Sequence, residues 1–284
     1  MQIKTVGVLG CGLMGSGIAQ VCAASGYKTI VREVDETYLQ KGLGRIKKFL
    51  DDGVAKGKAS AEARDKTLAN LSGTTTFEAL KDCDLVVEAI VENLDEKCQT
   101  YAALEKVIGD HTLLASNTSS LCITELAAAT KRPDRFGGVH FFNPVPIMKL
   151  VEVIRALTTS DETYHTLFAF AQSLGKEPIT APDRPGFIVN RLLVPYLLDA
   201  IRAYEHGLGT LEDIDKGMKL GCGYPMGPFT LLDFVGLDTT YYIANIMFEE
   251  FREPAYAPPP LLKRMVLAGR MGRKSGRGFY AYEK

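Results

Sequence analysis

The apolar run Thr5-Val6-Gly7-Val8-Leu9 stops at Gly10-Cys11-Gly12-Leu13-Met14-Gly15, and a helical pattern follows from Ser16 to Ser25, with Ile18, Val21 and Cys22 on one face. This order of strand, glycine-rich turn and helix constrains the chain more than any other feature. In a dinucleotide site the first glycine lets the chain leave the strand and the second lets backbone approach a pyrophosphate. The third lets the helix pack close to the sheet. Free N–H groups and the positive end of the helix dipole then face the phosphates. A tight structural turn is the plainer alternative, so the loop alone marks a dinucleotide binder and no more. Gly26 closes the helix as a C-cap glycine.

The next strand, Lys28 to Val31, ends at Arg32-Glu33. An acid about twenty residues past the glycine loop is expected to accept hydrogen bonds from the adenosine ribose. Glu33 fills that place. Its charge would repel a 2′-phosphate, which favours NAD over NADP. Arg32 argues the other way, since an arginine accommodates that phosphate, and Asp35 is a rival acid. A solvated charge at a strand end is the plain alternative for Glu33.

Further strands are expected at Lys81–Ala89, Leu113–Ser116, Arg135–Phe142, Leu150–Ile154 and Pro178–Ala181. Between the second and third of the predicted strands stand two charged amphipathic stretches, Leu39–Leu50 and Val54–Leu71, read as a helical pair inserted as an arm. Strands spaced by helices imply βαβ units. After Asp183-Arg184-Pro185-Gly186 the pattern turns helical: Ile188–His206, Leu211–Leu220, Phe229–Phe251 and Pro260–Ala268. The expected class is therefore α/β, a Rossmann-type, mostly parallel sheet with an inserted helical arm, followed by an all-α C-terminal domain. The domains are placed at 1–183 and 184–284.

A length of 284 residues suits two domains, and a net charge of −1 gives the whole molecule no pull toward nucleic acid or an anionic membrane. A polyanionic ligand would need a local basic patch. The six cysteines form no C-x-x-C pair, which suits buried thiols in a reducing compartment. No apolar run is long enough to span a bilayer. The chain enters a strand at once without a targeting pattern, so a cytoplasmic location is expected. No metal is expected.

The segment Val139-His140-Phe141-Phe142-Asn143-Pro144-Val145-Pro146 runs from a strand end into a loop. Ligands of open α/β sheets bind beyond such carboxyl ends. His140 is a natural acid/base group because its ordinary pKa lies near neutrality. Glu152, in the strand-like LVEVI, is flanked by Val151 and Val153 and needs a partner if buried; a His–Glu pair would orient the imidazole and stabilise its charged form. A structural histidine is the alternative. Asn117-Thr118-Ser119-Ser120 also follows a strand, and its hydroxyls either hold a substrate oxygen or cap the next helix. Asn190, polar among Phe187, Ile188, Val189 and Leu192, faces a cleft or caps and bridges helices.

Taken together, GCGLMGSGIA, VVEAIVENLDEK, SNTSSL, HFFNPVPIMKLVEV, RPGFIVNR and GRKSGRGFY resemble the 3-hydroxyacyl-CoA dehydrogenase family from Thr5 to Tyr280. The HFFNPVP and PGFIVNR blocks are specific to it. The compact length is most similar to its 3-hydroxybutyryl-CoA dehydrogenase branch. The resemblance implies NAD as cofactor, an acyl-CoA substrate and a homodimer. It implies His140 as general acid/base, Glu152 as its orienting partner, and Ser119 and Asn190 as residues that hydrogen-bond the substrate around the reacting oxygen. Gly10, Gly12, Leu13, Met14 and Gly15 form the phosphate loop. Glu33 matches the ribose-binding acid, where many relatives carry Asp. Glu92, Lys97, Asn143 and Lys274 match positions lining the cofactor site. The arm carries Lys47, Lys48, Lys56 and Lys58, diluted by Asp51 and Asp52, and Lys56 matches a lysine that contacts CoA.

Two other classes stay open. One is an NAD(P)-dependent dehydrogenase of a small free hydroxy acid, which would need no CoA arm. The other is a crystallin-like structural relative. In the C-terminal domain, Tyr241-Tyr242-Ile243 and Ile246-Met247 are either a dimer surface or intradomain core.

Overall fold

The computed structural model describes residues 2–282. The chain divides into two compact units, Met1–Asp183 and Arg184–Lys284. In the first, the order is β1 (Thr5–Leu9), α1 (Leu13–Ala24), β2 (Lys28–Arg32), α2 (Glu36–Ala55), α3 (Ala61–Ala69) and β3 (Leu71–Thr74). Then come β4 (Leu85–Glu88), α4 (Leu94–Leu104), β5 (Leu113–Ser116), α5 (Ile123–Ala128), β6 (Phe136–Phe141), β7 (Leu150–Arg155), α6 (Asp161–Ser173) and β8 (Glu177–Pro182). The strands form one eight-stranded sheet in the order β3-β2-β1-β4-β5-β6-β7-β8. All pairings are parallel except β6 with β7.

The strand order reverses direction between β1 and β4, and such a switch point opens a crevice beyond the carboxyl ends of the strands. The glycine loop leaves β1 at that place. The sheet's central strands read as nearly continuous apolar runs because both faces are covered: Val6, Val8, Leu85, Val87, Leu113 and Ala115 are all buried.

The helical arm is the crossover from β2 to β3. Its first half is part of the fold, since Leu39, Gly42 and Ile46 are buried and α2 packs on α1. Asp35 caps α2 by accepting from Tyr38 N–H at 2.9 Å. The second arm helix is shorter than expected: Ser60 caps α3, which ends at Ala69. Leu71, expected as the end of that helix, instead opens the edge strand β3. The strand expected from Lys81 begins only at Leu85, because residues 78–80 form a short helical turn. Asp183 closes the unit by accepting from Ile123 N–H and Thr124 N–H at 2.7 Å each, so it caps α5.

The second unit is helical: α7 (Val189–Glu205), α8 (Leu211–Gly221), α9 (Pro228–Val235), α10 (Leu237–Phe251) and α11 (Pro260–Leu267). The single helix expected over Phe229–Phe251 is broken at Gly236, whose φ of 105° lies outside the range a helix allows. Leu197, Leu198, Ile201, Phe229, Leu232 and Met247 are among its core. Of the stripe considered for a dimer surface, Ile243 and Met247 are buried in this core, while Tyr242 is 40% exposed. Buried Asp233 holds the tail, accepting from the backbone N–H groups of Phe279 and Tyr280 at 2.9 Å each. No helix among the described residues is long and apolar enough to cross a membrane.

Candidate active site

The glycine loop has the shape a pyrophosphate needs. Gly10 has φ +92°, and a Cβ there would lie 2.6 Å from the Ala89 carbonyl oxygen. A Cβ on Gly15 would lie 2.0 Å from the Gly10 oxygen, so α1 can approach the strand only with glycine at this position. Gly12 differs: a Cβ would meet nothing within 4 Å, so the space above it is open. It is also the N-cap of α1, with no side-chain cap and no acid in the first turn. Leu13, which follows it, is exposed, and Met14 packs at the edge of the core. An uncapped N-terminus facing open space fits a phosphate.

Glu33 reaches this loop. One carboxylate oxygen accepts from Cys11 N–H at 2.8 Å and the other from Val34 N–H at 2.7 Å. Burial, with the charge of Glu33 added, pushes the Cys11 thiol up to about 11, so it is no nucleophile near neutral pH. Arg32 points elsewhere. Its guanidinium stacks 4.2 Å from the centre of the Phe77 ring and donates to the Thr75 carbonyl at 3.3 Å. Alternation along the strand separates the two side chains, one toward the loop and one toward Phe77.

Beyond β4 and β5 lies a polar network. Lys97, on α4, is buried and forms ion pairs with Glu88 at 2.6 Å and Glu92 at 3.2 Å. One Glu92 oxygen gathers the loop after β5, accepting from Thr118 Oγ1 at 2.5 Å, Ser119 N–H at 3.0 Å and Ser120 Oγ at 3.0 Å. Ser119 Oγ lies 3.5 Å from the same oxygen. Burial raises the Glu92 pKa, but the Lys97 charge and these hydrogen bonds outweigh it and hold the carboxyl below its usual range. Capping of the next helix, one of the two roles open to this loop, is carried out by Asp183.

His140 and Glu152 are directly opposed on antiparallel β6 and β7. His140 Nδ1 lies 2.7 Å from Glu152 Oε2, with Glu152 fully buried and the imidazole nearly so. Phe142 packs on the ring at a centroid distance of 4.6 Å. Asn117 Oδ1 accepts from Phe141 N–H at 2.9 Å and so ties the loop after β5 to the strand that carries His140.

Asn143 is exposed at the start of the loop from β6 to β7. That loop is held by buried Lys176, whose Nζ donates to the carbonyls of Val145 at 2.5 Å and Met148 at 2.8 Å. Val145 rests against α1, where a Cβ on Gly17 would fall 2.8 Å from it.

Asn190 and Lys274 belong to the second unit. Asn190 sits in the first turn of α7, partly buried. Lys274 pairs with Asp238 at 2.6 Å. On the arm, Lys47 is taken up by Asp51 at 2.6 Å, whereas Lys48, Lys56 and Lys58 are exposed. Sequence reasoning passed over Glu88 and Lys176. Glu88 carried a signal, a charge inside the apolar run LVVEAI; Lys176 carried none.

Residues 5–184 match the family described as "3-hydroxyacyl-CoA dehydrogenase, NAD binding domain", and residues 186–282 match its "C-terminal domain". The chain belongs to the 3-hydroxyacyl-CoA dehydrogenase family. It is accordingly an NAD-dependent oxidoreductase with the family's NAD-binding domain first and its helical domain second. Among relatives, it is 51% identical to a "3-hydroxybutyryl-CoA dehydrogenase" of Mycobacterium tuberculosis over 99% of both chains. It is 50% identical to the human "Hydroxyacyl-coenzyme A dehydrogenase, mitochondrial" over 99% of this chain and 92% of that one. The crystal structure of (S)-3-hydroxybutyryl-CoA dehydrogenase PaaH1 from Ralstonia eutropha superposes with a TM-score of 0.95 at 45% identity, covering both chains completely. This 3-hydroxyacyl-CoA dehydrogenase therefore shares its fold from end to end with solved members of the family.

Proposed function

We propose that the protein oxidises (S)-3-hydroxyacyl-CoA, 3-hydroxybutyryl-CoA above all, to the 3-ketoacyl-CoA, and runs the reverse reduction of acetoacetyl-CoA. The observation that carries this reading is the buried His140–Glu152 pair at 2.7 Å, at the carboxyl end of a strand in a dinucleotide-binding sheet. NAD supplies the hydride acceptor when bound, and NADH the donor. Gly10, Gly12, Leu13, Met14 and Gly15 hold the pyrophosphate and Glu33 the ribose. Glu92, Lys97, Asn143 and Lys274 take the cofactor-lining places of the family motifs.

A carboxylate only accepts hydrogen bonds, so His140 donates from Nδ1 and keeps Nε2 as its lone-pair nitrogen. In oxidation Nε2 takes the proton of the 3-hydroxyl, and Glu152 stabilises the imidazolium that results. In reduction the imidazolium returns that proton to the carbonyl oxygen. Ser119 holds the reacting oxygen, and Asn190 has the substrate-binding role of the RPGFIVNR motif. Lys56, exposed on the arm, meets a CoA phosphate as a point charge.

In this reading residues 1–183 bind NAD, and residues 184–284 bind substrate and form a homodimer. The exposed Leu192, Leu208 and Leu220 of the second unit support the dimer, which solution mass tests. Names of relatives support the four-carbon substrate. The test of function compares initial rates of NADH consumption with acetoacetyl-CoA, longer 3-ketoacyl-CoAs and free acetoacetate, and repeats them with NADPH. Turnover of acetoacetyl-CoA with NADH is expected. Turnover of free acetoacetate at an equal rate would move the protein to the small-hydroxy-acid dehydrogenases, and no turnover of any of them would favour a structural role.

A further inference from the structure

Glu88 ends β4, next to the switch point, and has no part in the chemistry above. It is completely buried. A buried charge is costly unless it is paired and hydrogen-bonded, and Glu88 is engaged on both oxygens. Oε1 accepts from Lys97 Nζ at 2.6 Å and from Ile90 N–H at 2.8 Å. Oε2 accepts from Ser116 Oγ at 2.7 Å and from Tyr101 Oη at 3.3 Å.

These partners lead in two directions. The Ala89–Ile90 peptide lies against the first glycine of the phosphate loop, where a Cβ on Gly10 would fall 3.2 Å from Ile90 N. Ser116 Oγ accepts from Thr118 N–H at 3.2 Å, and Lys97 reaches Glu92, which gathers Thr118, Ser119 and Ser120. One carboxylate thus touches both the wall of the cofactor loop and the support of the Ser119 loop.

We propose that Glu88 is a positioning residue for the dehydrogenase, fixing the Ser119 loop relative to the glycine loop through Lys97–Glu92 and Ser116. This rests on the role given to Ser119 above. Its physical basis is competition for Lys97. With Glu88 present, Lys97 divides its charge between Glu88 and Glu92 Oε2, while Glu92 Oε1 gathers the loop hydrogens. With Glu88→Gln, Lys97 is left buried with Glu92 as its one carboxylate, draws it closer, and loosens its hold on Ser119.

The test is a double-mutant cycle on the full-length enzyme, with Glu88→Gln, Ser119→Ala and both together, assayed with NADH and acetoacetyl-CoA. NADH affinity is measured by fluorescence, and folding by thermal unfolding. Glu88→Gln is expected to lower kcat about tenfold in the native background and less than about twofold beside Ser119→Ala. It is also expected to weaken NADH binding by about threefold. An equal loss of kcat in both backgrounds, or no loss, overturns the proposal. If Ser119→Ala alone leaves kcat unchanged, the assignment of Ser119 falls separately. NADH binding then decides the case of Glu88, and an unchanged Kd overturns its tie to the glycine loop. If Glu88→Gln does not fold, Ser116→Ala removes one arm of the network, with a smaller loss of kcat that must again vanish beside Ser119→Ala.

Discussion

His140 faces Glu152 across a single rung of the antiparallel β6–β7 pair, with Nδ1 and Oε2 2.7 Å apart. Sheet register, not a flexible loop, sets this distance, so the imidazole is oriented before any substrate arrives. Preorganisation of this kind removes the cost of aligning the base during reaction.

Glu152→Gln keeps the shape of the pair and removes its charge. The imidazolium then lacks its counterion, and the amide can present a donor where His140 needs an acceptor. We expect kcat to fall by about 10²-fold or more, with unchanged NADH binding. Steady-state rates and a fluorescence titration check this.

Cofactor choice follows from Glu33 and Arg32. Glu33 stands at the glycine loop, while Arg32 is held by Phe77 and the Thr75 carbonyl. The wild type should prefer NADH over NADPH by about 10²-fold in kcat/KM, since like-charge contact costs several kcal/mol. Glu33→Ser should narrow that ratio strongly. Phe77→Ala, by releasing Arg32, should narrow it less. Parallel rates with the two cofactors read both effects.

Lys176 latches the loop between the two members of the acid–base pair. Lys176→Met keeps the stem and strands both carbonyls, and a buried acceptor left without a donor costs about 1–3 kcal/mol. Thermal unfolding should show the loss. Because Val145 rests on α1, KM for NADH should rise as well, whereas an exposed lysine such as Lys48 should give neither effect on replacement.

Glu92 gives a pH dependence. Its carboxyl is held below the usual range in the folded state, so the unfolded chain binds the proton more readily. The stabilisation is therefore complete above the ordinary carboxylate pKa and disappears as pH falls through the lowered one. Between pH 7 and the acid range the wild type should lose more stability than Glu92→Gln, measured as Tm against pH.

The parts of this protein legible in its sequence are those where backbone geometry dictates residue type. Gly10 and Gly15 had to be glycine, and the helix–sheet alternation follows from apolar runs buried on both faces. β3 escaped because an edge strand of Leu71-Ser-Gly-Thr has little apolar pattern to show. The break at Gly236 escaped because one glycine inside an apolar stretch is compatible with a helix until its φ is seen. His140 and Glu152 could be suspected as partners, yet the spacing of twelve residues gives no register; only the turn of the chain through residues 143–149 makes them opposite. The hub at Glu88 was hidden for a similar reason. Its partners Lys97, Tyr101 and Ser116 come from other elements, and a lone charge in a strand does not announce them.

The most direct test of the account is the turnover of His140→Asn with acetoacetyl-CoA and NADH, measured with its Kd for NADH. Loss of a general acid in place should lower kcat by about 10²–10⁴-fold, while NADH binds as it does to the wild type. Near-normal turnover in this variant, with NADH bound normally, would contradict the assignment of the acid–base pair.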